Sequence, residues 1–255
     1  MSKVVACCKW VLDEADIRIA DDGSLDTGKA KGKISEYDTN VIAASCEIAE
    51  SIGAEPVGLT FGTQASKALL KDALSRGLAQ AYWVQGASAA SADGALTAHC
   101  LAEAVKGIDD VSIVVCAEGS SDEFARQTAP RIGALLDIPV VTSVMEVAQS
   151  DGRLIAKRRL DDCVESVEVP YPVVLSILPE MIAAPIPGLK AIMAASKKPV
   201  TQISADELAG SYGLKATVEE TGGCIVERKG IRIDGDGPDE CACNLVAALE
   251  KEGVL

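Results

Sequence analysis

A three-layer α/β sandwich around a mostly parallel, Rossmann-like sheet is the fold class this chain predicts. Three observations predict it. Short, wholly apolar runs recur without alternation at Val4–Cys8, Pro56–Phe61, Val111–Cys116 and Pro139–Val144, which is how a strand buried on both faces reads. Amphipathic helical stretches stand between such runs, and strand–loop–helix–strand repeats fold into parallel sheets covered by helices. Apolar residues make up 48% of the 255 residues but aromatics only 3%, so the core is built from Ala, Val, Leu and Ile, with helix lying close on sheet.

Taken in order, Val4–Cys8 is the first strand. Lys9–Gly32 is polar and turn-rich, with Asp21-Asp22-Gly23, and reads as a loop carrying a small hairpin at Asp16–Ile19. Ser35–Ile52 places Val41, Ala44, Ile48 and Ile52 on one side and meets a glycine stop at Gly53, an amphipathic helix. Pro56–Phe61 is the next strand, followed by a helix from Gln64 to about Arg76 that Gly77 closes. Gln80–Val84 is a strand, Ala90–Lys106 a helix, Val111–Cys116 a strand, Glu123–Leu136 a helix and Pro139–Val144 a strand.

After Val144 the pattern changes. Gly152–Arg159, Cys163–Val169 and Tyr171–Ile177 are extended stretches joined by short polar turns, and Glu165 and Glu168 flank Val167. These read as antiparallel strands added to the edge of the parallel sheet, with Pro170 and Pro172 restricting one connection. Leu178–Pro199 is Pro-rich and runs into a short helix at Gly188–Ser196. Exposed Met181, Ile182 and Ile186 there make a surface suited to a partner. Thr201–Leu255 has extended runs at Cys224–Glu227 and Gly230–Ile233 and a helix from Pro238 to about Glu250. The expected organisation is a nucleotide-binding domain over 1–200 and an arm over 201–255 that packs on a partner, being too small to build much core alone.

Charge and cysteine usage narrow the function. With 38 acidic against 24 basic residues, a net charge of −14 argues against a nucleic-acid groove, which needs a basic surface. It leaves room for one nucleotide held by backbone N–H groups. The nine cysteines do not form the spacing of a disulfide framework, and Cys241-Ala-Cys243 lacks the spacing of a metal knuckle. A reducing, cytoplasmic setting follows as the expectation. Lys9 and Asp13 interrupt any apolar run near the start, so no secretory leader is expected. No run approaches the roughly 18 apolar residues of a membrane span.

The chemistry-bearing residues are few. Neither GxGxxG nor GxxxxGK[ST] occurs, nor GxSxG or HExxH. The single histidine, His99, sits in a helical run and reads as structural. Four loops follow strand ends, beginning at Lys9, Gly62, Gly86 and Ala117, and ligands of open parallel sheets sit at such ends. Gly86–Thr97 offers Ser88, Ser91, Asp93, Gly94 and Thr97 as small polar groups, either for a nucleotide or as a solvated turn and cap. In the stretch Ser120–Thr142, a strand end, a small polar loop and a helix start leave N–H groups aimed at one spot, suited to a phosphate. Ser121 or Asp122 reads as the helix cap. Arg126 either neutralises a phosphate or pairs with Asp122 one turn away.

The same residues carry a family resemblance running nearly end to end: the chain resembles the β subunit of electron transfer flavoproteins, the group that includes the FixA-type proteins. Lys3–Asp13 is similar to the family's opening strand and Lys-x-Val-Pro-Asp turn, with Leu12 at the proline. Glu36-Tyr37-Asp38-Thr39-Asn40 resembles the Asn-Pro-Tyr-Asp start of its first helix, with Ser35 and Glu36 at Asn and Pro. The family motif Asp-Gly-Asp-Thr-Gly-Gln-Val-Gly-Pro aligns with Asp122–Pro130, keeping Asp122, Gln127 and Pro130 but not the glycines or the threonine. Small residues there let backbone approach a phosphate; Phe124 and Arg126 crowd or rebuild that cradle.

The resemblance implies an electron carrier rather than a stand-alone enzyme. An α subunit would hold most of the redox FAD site, and this chain would hold AMP or, in electron-bifurcating members, a second FAD that takes hydride from NADH. The residues implied at the cofactor are Ala6, Cys7, Lys9, Asp38, Phe61, Gly62, Asp93, Thr97, Cys116, Asp122, Ala125, Arg126, Gln127 and Thr128. Leu178–Pro199 corresponds to the loop that grips a flavin-dependent dehydrogenase, with Ala183-Ala184-Pro185-Ile186 where the family has Asn-Glu-Pro-Arg. Outside the family, the residues leave open a non-redox adenine-nucleotide-binding regulatory protein, or a nucleotide-dependent enzyme that would need a phosphate loop and a base not evident here.

Overall fold

The computed structural model describes residues 1–150, 152–224 and 228–255. The chain divides into two compact units, Met1–Arg18 with Leu25–Thr221, and Ile19–Ser24 with Gly222–Leu255.

The first unit is built on a nine-stranded sheet. Its strands are β1 (Lys3–Cys7), β2 (Glu55–Gly62), β3 (Gln80–Gln85), β4 (Val111–Ala117), β5 (Val140–Ser150), β6 (Arg153–Arg159), β7 (Val164–Val169), β8 (Val173–Ile177) and β9 (Val200–Ser204). They lie in the order β7-β6-β5-β8-β4-β1-β2-β3-β9. Every pairing from β5 across to β9 is parallel, whereas β6 is antiparallel to both β5 and β7. The helices are α1 (Glu36–Ile52), α2 (Lys67–Ser75), α3 (Gly94–Lys106), α4 (Thr128–Leu136), α5 (Leu189–Ala195) and α6 (Ala205–Ala209).

Side chains alternate along each strand, so one strand feeds two cores. Val4, Ala6 and Cys8 join Val41, Ile48, Leu70 and Leu74 of α1 and α2 on one face. Val5 and Cys7 join Leu96, Leu101, Ala129 and Ile132 of α3 and α4 on the other. Val4 and Val5 are both wholly buried, each contributing on the order of 1.5–3 kcal/mol. The three-layer α/β class expected from the apolar runs is the fold observed. Gly53, at φ 66°, ends α1 in the left-handed region as its glycine stop required.

Four sequence expectations are corrected. Tyr171–Ile177 was expected at the sheet edge, but β8 lies inside the sheet, parallel to β4 and β5, with all five residues buried. Burial on both faces favours a central parallel strand, and β6 and β7 alone form the antiparallel edge. Lys9–Gly32 is not wholly loop, because Trp10–Leu12 pairs antiparallel with Gly32–Ile34. The helix expected from Glu123 begins at Thr128. Met181 and Ile182 are not exposed; they pack partly buried against the first core.

The boundary drawn at residue 200 also differs from the structure. Val200–Ser204 completes the sheet beside β3, and the first unit continues to Thr221. His99 is held in place here, its Nε2 3.2 Å from the Leu208 carbonyl and its ring stacked 4.1 Å from Tyr212.

Among the described residues the second unit carries one helix, α7 (Pro238–Lys251), none of whose residues is buried. The backbone N–H of Gly223 donates to the Gly23 carbonyl at 2.8 Å. Gly230–Ile233, expected as an extended run, forms no strand. Residues 225–227 of the run read at Cys224–Glu227 lie outside the described residues. Among the described residues no helix is long and apolar enough to cross a membrane.

Candidate functional site: a crevice at the switch point

From β1 the chain builds outward through β2 and β3, then returns to place β4 on the other side of β1. In an open parallel sheet the carboxyl ends of strands that diverge in this way leave a crevice. Here that crevice has a volume of 460 Å³, within the roughly 300–1,000 Å³ of small-molecule sites. Loops after β1, β2, β3 and β4 all line it, as the four strand-end loops predicted.

Its floor is apolar and close-packed. Cys7 and Cys116 follow the paired residues Ala6 and Val115 on adjacent strands, and Phe61, Leu101, Ala90 and Ala92 surround them. Burial pushes the Cys8 thiol up. A hydrogen bond with Cys7, and then burial, push the Cys116 thiol up. These groups therefore act as small hydrophobes rather than nucleophiles. Trp83 Nε1 donates to Ser66 Oγ at 2.9 Å and fixes the turn after β2.

One carboxyl is set into this floor. Asp38, in the first turn of α1, is 5% exposed. Its Oδ2 accepts the Lys9 backbone N–H at 2.6 Å. Burial pushes the carboxyl up to about 7, against the pull of that hydrogen bond and of the Lys9 charge.

The rim is charged and tied to itself. Lys9 Nζ lies 2.8 Å from Asp122 Oδ2 and 3.3 Å from Glu123 Oε2. Arg126 pairs with Glu118, not with Asp122. Ser120 Oγ and the Glu123 backbone N–H both donate to Asp122. Burial would raise the Asp122 carboxyl, but hydrogen bonds from Lys9 and Ser120 outweigh it and hold it below the usual range. Phe124 and Arg126 take left-handed backbone, at φ 47° and 57°. The Phe124 ring lies against Gly119, where a Cβ would meet it at 2.5 Å, and 5.4 Å from the Tyr37 ring. Those two conformations interrupt the helix and explain its late start at Thr128. Neither Ser121 nor Asp122 caps it; Gln127 holds the cap position, and its Oε1 accepts from Arg131 at 3.0 Å.

The structure brings together twelve of the residues implied at the cofactor: Cys7, Lys9, Asp38, Phe61, Gly62, Thr97, Cys116, Asp122, Ala125, Arg126, Gln127 and Thr128 all line the crevice. Ala6 lies beneath the floor, wholly buried in the core. Asp93 is otherwise engaged: Oδ1 caps α3 through the Leu96 N–H at 2.7 Å, and Oδ2 accepts from Lys215 and Ala216 at 2.7 and 2.8 Å. Sequence reading missed Cys8, Trp10, Ser66 and Glu118, which also line the crevice. Their one signal is position, each lying just beyond a strand end.

An adenine nucleotide placed here would meet two different environments. The apolar floor of small residues fits a flat heterocycle. The rim does not fit a terminal phosphate as it stands, since Lys9 and Arg126 are both paired with carboxylates.

A parallel sheet with a lined crevice over its switch point defines an open α/β protein with a ligand-sized site at the carboxyl ends of its strands. Residues 22–208 match the family model described as the electron transfer flavoprotein domain, a span that runs from before α1 through β9. The chain belongs to the electron transfer flavoprotein family, and the matched domain is that of the family's β subunits.

Proposed function

We propose that this chain is the β subunit of an αβ electron transfer flavoprotein, carrying electrons between a flavin-dependent dehydrogenase and a downstream acceptor. The family match over 22–208 carries this reading. The crevice supports it. Its residues are suited to binding and orientation, and the one histidine is spent on packing against Tyr212. A bound flavin supplies the one- and two-electron chemistry, and the protein supplies placement and environment.

In this reading the partner α subunit holds most of the redox FAD, and the crevice holds an adenine nucleotide, either AMP or the adenosine half of a second FAD. Phe61, Leu101 and the floor alanines keep water from the base. Asp38, near its titration midpoint around neutral pH, is a hydrogen-bonding group for a polar edge of the ligand. Leu178–Pro199 docks the dehydrogenase. Asn40 Nδ2 anchors the start of that loop through the Pro179 carbonyl at 3.1 Å and the Ile182 carbonyl. The apolar tip is Ile186, Leu189 and Met193, which are 93%, 74% and 66% exposed.

The test is stopped-flow mixing of the flavin-loaded complex with a substrate-reduced, flavin-dependent dehydrogenase. Bleaching of the complex's visible flavin absorbance is the expected result. A complex whose flavin stays oxidised with every such dehydrogenase tried would contradict the proposal. A homodimer holding adenine nucleotide and no flavin would favour a regulatory nucleotide sensor instead.

A further inference from the structure

The loop after β4 already contains its own anion. The Asp122 carboxylate receives Lys9 Nζ at 2.8 Å, Ser120 Oγ, and the Glu123 backbone N–H at 2.8 Å. Cation, hydroxyl and amide are the donors that a phosphate oxygen recruits. Neighbouring N–H groups are spent as well: Ser121 donates to Ser35 Oγ at 3.2 Å, and Phe124 to the Ser120 carbonyl at 3.1 Å. Arg126, the other cation, is paired with Glu118 while its guanidinium lies 5.1 Å from the Phe124 ring. Around the crevice, Asp38, Glu118, Asp122 and Glu123 stand against Lys9 and Arg126.

We propose that Asp122 is a built-in competitor for nucleotide phosphate, so that this crevice selects its ligand by base and ribose and disfavours a phosphomonoester. The preferred class is an adenosine whose phosphate is capped by a second linkage, as the pyrophosphate anhydride caps it in a dinucleotide. This inference rests on the reading that the crevice holds an adenine nucleotide. A phosphomonoester carries nearly two negative charges at neutral pH and must displace Asp122 to reach Lys9. In a dinucleotide the phosphate next to adenosine carries one, the second charge lying on the neighbouring phosphate, so less charge is set against Asp122 itself. The apolar part of the floor, by contrast, holds the base in either case.

Calorimetric titration of the full chain, in the complex it forms and after removal of bound nucleotide, tests this with adenosine, AMP and FAD. The wild type binds AMP no more than about threefold tighter than adenosine, and binds FAD more tightly than either; FAD binding weaker than AMP overturns the inference. Asp122→Asn tightens AMP about tenfold and leaves adenosine unchanged. Asp122→Ser serves as a second variant should the first fail to fold, thermal melts reporting on both. The wild-type comparison needs no variant at all. A wild type that prefers AMP to adenosine by about tenfold or more, or an Asp122 variant that loses AMP affinity, overturns the inference and leaves the nucleotide reading intact. If none of the three compounds binds any of these proteins, the nucleotide reading falls and the inference falls with it.

Discussion

The floor and the rim of the crevice are made by different physics. The floor comes from strand register: once Ala6 stands beside Val115, Cys7 and Cys116 are neighbours, and α3 and α4 close over them. The rim comes from charges brought together over long chain separations, Lys9 to Asp122 and Glu123. Burial fixes the floor to within a methyl group, while exposed pairs fix the rim only weakly. The crevice's shape is therefore stable against change, and its selectivity is open to change at small cost.

Substitutions can break or sharpen that contrast. The largest effect is expected in the floor. Leu101 is buried in the second core and lines the crevice, so Leu101→Ala costs about 2–5 kcal/mol of stability in urea denaturation. A loss under about 1 kcal/mol would show the floor to be plastic.

Next comes Asp38, a charge set into that floor. Its folded-state pKa, about 7, is raised by burial above the ordinary carboxylate value. The folded state thus holds a proton that the unfolded state releases. Asp38's contribution to stability is fully present below about pH 4 and is lost as pH rises through about 7. Asp38→Asn removes that slope and is the more stable protein at about pH 8, by on the order of 2–4 kcal/mol. The check is denaturation midpoints across this range; parallel pH profiles for the two proteins would refute the burial of a titrating carboxyl.

The smallest effect is expected at the rim. Arg126→Gly removes an exposed pair with Glu118, worth under about 1 kcal/mol. It also relieves a left-handed backbone that costs a non-glycine residue about 1–2 kcal/mol. The two offset, and thermal denaturation places the variant within about 1 kcal/mol of the wild type.

What could be read from the residues divides along the same line. The apolar runs at Val4–Cys8, Pro56–Phe61 and Val111–Cys116 announce buried parallel strands because burial on both faces is written locally. The four strand-end loops, and with them the crevice, follow from that. The position of β8 is not local. Val173–Ile177 follows two antiparallel strands in the chain and joins parallel ones in space. Ser121 and Asp122 read as a helix cap because capping grammar is local. Asp122 instead answers Lys9, 113 residues away. Asp93, read inside a helix from Ala90 and implied at the cofactor, instead caps a helix that starts at Gly94, and its second oxygen is claimed by Lys215 and Ala216 from far along the chain. Charged side chains choose partners through tertiary structure, so the rim was the part least legible beforehand.

The central claim, that this chain is one half of a flavin-carrying heterodimer, is tested most directly by native mass spectrometry of the chain purified under gentle conditions from the cells that make it. The expected species is a one-to-one complex with a second, flavin-bearing subunit. A chain that emerges alone, as a monomer without flavin, while that second subunit is present in the same extract, would contradict it.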